Sequence, residues 1–81
     1  MLTAKQMLDK IKWSKKFDQD NITISYFDRK LNENIALNYK EAIIEDNFII
    51  IKKGNNLSEI PLHRLREIRN KGIIIWKRDG L

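Results

Sequence analysis

The sequence predicts an α+β fold, an N-terminal helix packed on a small, bent, barrel-like antiparallel sheet of about five strands. Three observations point there. An amphipathic stripe opens the chain, a run of β-branched and aromatic residues follows, and the remainder repeats a strand-rich pattern at an offset of 25 residues. At 81 residues the chain can bury one modest core and has no room for a second, so residues 1–81 read as a single domain.

The helix is expected over residues 3–13. Thr3 followed by Gln6 forms a capping box, in which the hydroxyl takes a free N-terminal amide and the glutamine side chain reaches back to the cap. Ala4, Met7, Leu8 and Ile11 then share one stripe, leaving Lys5, Asp9, Lys10 and Lys12 outside. The polar, turn-prone SKKFDQDN ends the helix near Trp13. In ITISYFD, residues 22–28, Ile22, Ile24 and Tyr26 alternate with Thr23 and Ser25 as on a strand, and RKLNEN turns the chain.

Residues 35–53 and 60–78 align without a gap, and six of the nineteen positions are identical: Ile35/Ile60, Leu37/Leu62, Ile43/Ile68, Ile49/Ile74, Ile50/Ile75 and Lys52/Lys77. Each copy ends in an aliphatic strand, FIII or IIIW, behind a hairpin-length turn signal, EDN or NKG. The start of each copy satisfies two periods. Ile60, Leu62, Arg64, Arg66 and Ile68 alternate as a strand does, whereas Leu62, Leu65 and Ile68 behind Pro61 fit a helical turn. We favour a strand interrupted by one turn, because a full helix leaves the aliphatic strands short of partners.

Without cysteine there is no disulfide framework, thiolate nucleophile or cysteine zinc site, and no apolar run is long enough for a secretory core or a membrane span. A reducing, cytoplasmic setting follows as the expectation. The net charge of +5 is split: about +4 over residues 1–17, −4 over 18–46 and +5 over 47–81. Two basic ends brought together make one positive face for a phosphate-bearing partner.

Aligning the copies isolates what the shared apolar skeleton does not need. Asn38, Tyr39, Glu41, Ile44 and Ile51 of the first copy become His63, Arg64, Arg66, Arg69 and Trp76 in the second. Four of the five arginines and the one histidine lie in residues 60–78. A guanidinium presents parallel N–H donors that match two phosphate oxygens, which an ammonium cannot do. On an extended segment, Arg64 and Arg66 share one face while His63 and Arg69 look the other way, so one or two arginines would join His63 at a pocket. The bland alternatives are a solvated strand edge, pairing of Arg66 and Arg69 with Glu67 and Glu59, and a hydrogen-bonded structural His63. Trp13, Tyr26 and Trp76 are either stacking platforms or packing residues. Asp28 and Arg29 either close the sheet as an ion pair or point Arg29 at a phosphate.

LDKIKW near the start, YFDR at 26–29 and IPLHRLREIRNKGIIIW at 60–76 resemble a small archaeal family first catalogued as uncharacterised and later described as an RNA cyclic-group end recognition domain. The IPLHR segment, the Gly turn and the W-x-R ending carry the resemblance most specifically, and it covers nearly the whole chain. It implies a module that binds RNA ends carrying a 2′,3′-cyclic phosphate or a related terminal phosphate; the expectation is a non-catalytic binder of 3′ ends, in the company of RNA-processing enzymes, with no cofactor, metal or membrane. The residues it points to are Tyr26, Asp28, Arg29, His63, Arg64, Trp76 and Arg78, with Arg66 and Trp13 beside them. The chain departs from the family pattern at Ser14 and Lys77, where acidic residues are common, so Trp13 and Arg78 lack that neighbour. A cyclic phosphate is a compact monoanion with two free oxygens, which Arg64 could hold in a fork while His63 donates an N–H and an aromatic ring stacks on the terminal base. Two alternatives remain open: a sequence-tolerant single-stranded nucleic-acid binder, and an RNA-end phosphoesterase, which would need a second proton-transfer group besides the one histidine.

Overall fold

The computed structural model describes residues 2–78, so Met1 and residues 79–81 of the expected single domain lie outside it. The helix α1 spans Ala4–Trp13 and starts with the anticipated capping box. The Gln6 amide donates to Thr3 Oγ1 at 3.1 Å, and the Thr3 amide donates to Gln6 Oε1 at 2.8 Å. Ala4, Met7, Leu8 and Ile11 are buried, as the stripe requires.

Beyond a 3₁₀ turn at Gln19–Asn21, the chain forms β1 (Ile22–Asp28), β2 (Glu33–Asn38), a 3₁₀ turn (Tyr39–Glu41), β3 (Ala42–Ile44) and β4 (Phe48–Lys53). Then follow β5 (Asn56–Pro61), a third 3₁₀ turn (Leu62–Arg64), β6 (Leu65–Asn70) and β7 (Ile73–Lys77). Instead of one bent sheet of about five strands there are seven strands among the described residues, in two antiparallel sheets ordered β2-β1-β6-β7 and β3-β4-β5. Neither closes into a barrel, since β2, β7, β3 and β5 remain edges. The later two 3₁₀ turns cause the difference. The turn expected to interrupt each strand is present, and each carries the chain into the other sheet, from β2 to β3 and from β5 to β6.

The ungapped repeat is not carried through the fold either. The last strands, starting at Phe48 and Ile73, are 25 residues apart, but the 3₁₀ turns starting at Tyr39 and Leu62 are 23 apart. Buried Leu62 therefore occupies the place of buried Tyr39, and the sequence pairing of Leu62 with Leu37 matches a turn residue to a strand residue. Burial pushes the Tyr39 phenol above its usual range.

Between the sheets and under α1 lie Ile22, Ile24 and Tyr26 from β1, Ile49 and Ile51 from β4, Leu65 and Ile68 from β6, and Trp76 from β7. The NKG signal becomes the β6–β7 turn, where Lys71 and Gly72 take φ of 54° and 83°, the left-handed pair that matches strand twist in a two-residue hairpin. Ile24 lies opposite Leu37 on one side and Ile68 on the other and is fully buried. Ile24→Ala is expected to lower the unfolding free energy by about 3 kcal/mol, read from the midpoint of a urea melt, because the rigid strands on both sides cannot collapse onto the cavity.

Candidate functional site

Three local devices bring cations to one cleft beside the end of β1. The first is a turn. Asp28 Oδ1 accepts the amides of Lys30 at 2.9 Å and Leu31 at 3.1 Å, so this carboxylate is engaged in shaping the backbone that presents exposed Arg29. The second is the 3₁₀ turn Leu62–Arg64. Leu62 points into the core and its amide donates to the Asn47 carbonyl at 3.1 Å, which leaves His63 exposed and Arg64 half-buried on the outer side. The third is a bulge in β6. Ser25 lies opposite Glu67 and Tyr26 opposite Leu65, so Arg66 has no partner on β1 and its guanidinium turns over the Phe27 ring, 5.3 Å from the centroid.

Phe27, Arg29, His63, Arg64 and Arg66 line a cleft of about 260 Å³. It adjoins a second hollow of about 280 Å³ that shares Phe27, Arg29 and Arg64 and also includes Lys30 and Glu59. The expectation that His63 and Arg64 diverge along an extended segment does not hold, because the tight turn places both on the same opening. Among the described residues, Arg29, Arg64 and Arg66 take part in no ion pair, whereas Arg69 is held by Glu67 through Nε–Oε1 at 2.8 Å. No carboxylate lines the smaller cleft. Its donors are therefore matched to an anion with several acceptor oxygens.

The other expected residues are placed elsewhere. Tyr26 is in the core at 1% exposure, and the ring that reaches the cleft belongs to its neighbour Phe27, which the alternation of β1 puts on the opposite face. That alternation was the signal for Phe27; nothing in the sequence announces the bulge that re-aims Arg66. Trp76 is buried, and its indole Nε1 donates to the Leu2 carbonyl at 2.7 Å, tying the start of the chain to β7. Trp13 is 78% exposed under the Lys12 ammonium and outside the cleft.

Arg78 lies behind the cleft. Its Nε donates to the Leu65 carbonyl at 2.8 Å and its Nη2 to the Leu62 carbonyl at 2.9 Å, while its own amide donates to the Arg66 carbonyl at 2.9 Å. One residue thus clamps both the turn bearing His63 and Arg64 and the bulge bearing Arg66. A further hollow of about 510 Å³, lined by Thr3, Lys5, Asp46, Trp76 and Arg78 among others, is poorly matched to phosphate because Thr3 already caps α1 and Asp46 adds negative charge.

The family described as "MJ1316 RNA cyclic group end recognition domain" matches residues 1–78. The UPF0248 protein MJ1316 of Methanocaldococcus jannaschii is 36% identical over 80 residues, covering 91% of each chain. A UPF0248 protein of Metallosphaera sedula is 31% identical over 79 residues, covering 98% of this chain and 96% of its own. One of Methanococcus vannielii is 30% identical over 83 residues, covering 95% and 96%. No solved structure matches.

Arg78→Ala leaves two carbonyls without their charged donor and is expected to cost about 2 kcal/mol in a denaturant melt. Arg78→Lys should recover little of it, because one ammonium cannot reproduce the two-pronged geometry.

Proposed function

The chain belongs to the MJ1316 RNA cyclic group end recognition domain family, and on that premise we propose that it binds RNA ends carrying a 2′,3′-cyclic phosphate in the cleft of Arg29, His63, Arg64 and Arg66. The observation that carries this reading is the convergence of three guanidiniums outside any ion pair among the described residues and the one imidazole on a single opening. Arg64, half-buried and set on a rigid turn, holds the two non-bridging oxygens in a fork. His63 donates an N–H from the same turn. Arg29, on the exposed turn shaped by Asp28, closes over the anion, and the Phe27–Arg66 pair offers a flat surface to the terminal nucleotide. In this reading Arg78, Trp76 and Tyr26 position the site and do not touch RNA.

The module binds and does not turn its ligand over. Opening a cyclic phosphate by acid/base chemistry needs two proton-transfer groups, and beside His63 the cleft offers guanidiniums, which keep their protons. Its use is to bring an RNA 3′ end to processing enzymes.

The test is a titration of three matched oligomers ending in cyclic phosphate, open 3′-phosphate and free hydroxyl. The cyclic end is expected to bind tightest, and Arg64→Ala to weaken it by about tenfold or more, the loss of a charge-assisted pair. Arg69→Ala is expected to leave the preference intact, since Arg69 is engaged with Glu67. Three coincident curves would reduce the activity to generic polyanion binding.

A further inference from the structure

One face of the four-stranded sheet has no cover among the described residues. Its inner face, with Ile22, Ile24, Tyr26, Ile68 and Trp76, joins residues of α1 and β4 in the core. Alternation puts Thr23, Ser25 and Phe27 of β1 on the outer face, and the register sets Asn38, Ala36 and Asn34 of β2 opposite them. On the other side of β1, Thr23 meets Arg69 and Ser25 meets Glu67, and Lys77 of the edge strand β7 lies opposite Glu67. Asn34, Ala36, Asn38 and Lys77 are exposed. Phe27 and Arg66 wall both the phosphate cleft and a neighbouring pocket of about 590 Å³, which also reaches Asn34, Glu67 and Lys77, so the cleft is continuous with this face. The face is net positive. Arg66, Arg69 and Lys77 stand against Glu67, whose Oε1 is held by Arg69, while Glu33 lies opposite Asp28 and belongs to the other face. Lys77 is in no ion pair among the described residues.

Resting on the end-binding reading above, we infer that this outer face carries the RNA strand on the 5′ side of the bound end. The strand leaves the cleft over the Phe27 ring and the Arg66 guanidinium, the kind of flat surface on which unstacked bases settle. It then crosses β6 to Lys77, whose ammonium meets a backbone phosphate as a point charge. From β1 to β7 is two strand spacings, about 10 Å, within reach of a single strand and a long lysine side chain. Asn34, beside Phe27, has an amide that donates or accepts and so tolerates any base. The middle of the face offers Ala36, Ser25 and Thr23, without the large anchors on which a protein partner docks.

Calorimetric titration of wild type and Lys77→Gln tests this, with a 2′,3′-cyclic mononucleotide and with pentanucleotides ending in the same nucleotide, one cyclic and one with free hydroxyls. The wild type is expected to bind the cyclic pentanucleotide about tenfold tighter than the mononucleotide, the gain of one stacked base. Lys77→Gln is expected to weaken the pentanucleotide by about threefold, to flatten the slope of log affinity against log salt by about 0.7, as for one phosphate contact fewer on a single strand, and to leave the mononucleotide unchanged. Equal affinity for mononucleotide and pentanucleotide in the wild type, or a pentanucleotide affinity and salt slope that Lys77→Gln leaves unmoved, overturns the strand path. Equal binding of the cyclic and hydroxyl pentanucleotides, with the Lys77 effect retained, overturns only the end-binding reading.

Discussion

The cleft depends on the grip of Arg78 on the 3₁₀ turn Leu62–Arg64. A single tight turn between the edge strand β5 and the inner strand β6 is a weak element by itself, with carbonyls that point away from any ladder. Here the guanidinium fork takes the Leu62 and Leu65 carbonyls, Leu62 itself fills the core, and the Arg78 amide holds the adjoining bulge through Arg66. A charge-assisted donor reaching two carbonyls is worth more than a neutral one, and it fixes a direction as well as an energy. His63 and Arg64 inherit their placement from that side chain, and Arg66 from the backbone amide of the same residue.

Placing several like charges on one opening is unfavourable in the free protein, so the scaffold must supply the geometry in advance. It does so without burying any of the cations completely. Arg29 rides on a turn closed by Asp28, Arg66 is steadied over Phe27, and Arg64 is half-buried beside the turn that carries it. A bound anion would relieve the mutual repulsion, with less ordering left for Arg64 and Arg66 than for the exposed Arg29. The neighbouring pocket has mixed charge, which separates its chemistry from that of the cleft even though Phe27 and Arg66 belong to both.

Much of this fold is legible in the sequence where one local rule acts alone. Thr3 and Gln6 specify the start of α1, the stripe from Ala4 to Ile11 specifies its buried face, and Asn70-Lys71-Gly72 specifies a hairpin. Legibility fails where two periods fit the same residues. Leu62, Leu65 and Ile68 satisfy a strand and a helical turn alike, and the answer, a 3₁₀ turn that switches sheets, is set by burial of Leu62 and by Arg78 sixteen residues downstream. The interrupting turn was readable, but its switch between sheets, which divides one expected sheet into two, was not. At the site, arginine clustering was readable, but which guanidiniums face a cleft and which serve carbonyls or carboxylates was not, because that choice is made by distant backbone. The same holds for Tyr26 and Phe27: alternation says they face opposite ways, and only packing says which face is the core.

The central claim is that the turn held by Arg78 presents His63 and Arg64, together with Arg29 and Arg66, as one anion site. A titration of ¹⁵N-labelled protein with a trinucleotide ending in 2′,3′-cyclic phosphate, followed by NMR at backbone amides, arginine Nε–H groups and the imidazole, tests it most directly. The account predicts that the largest shifts gather at Arg29, His63, Arg64 and Arg66. Shifts gathered instead around Lys10, Lys12, Trp13 and Lys15, with those four signals unmoved, would contradict it.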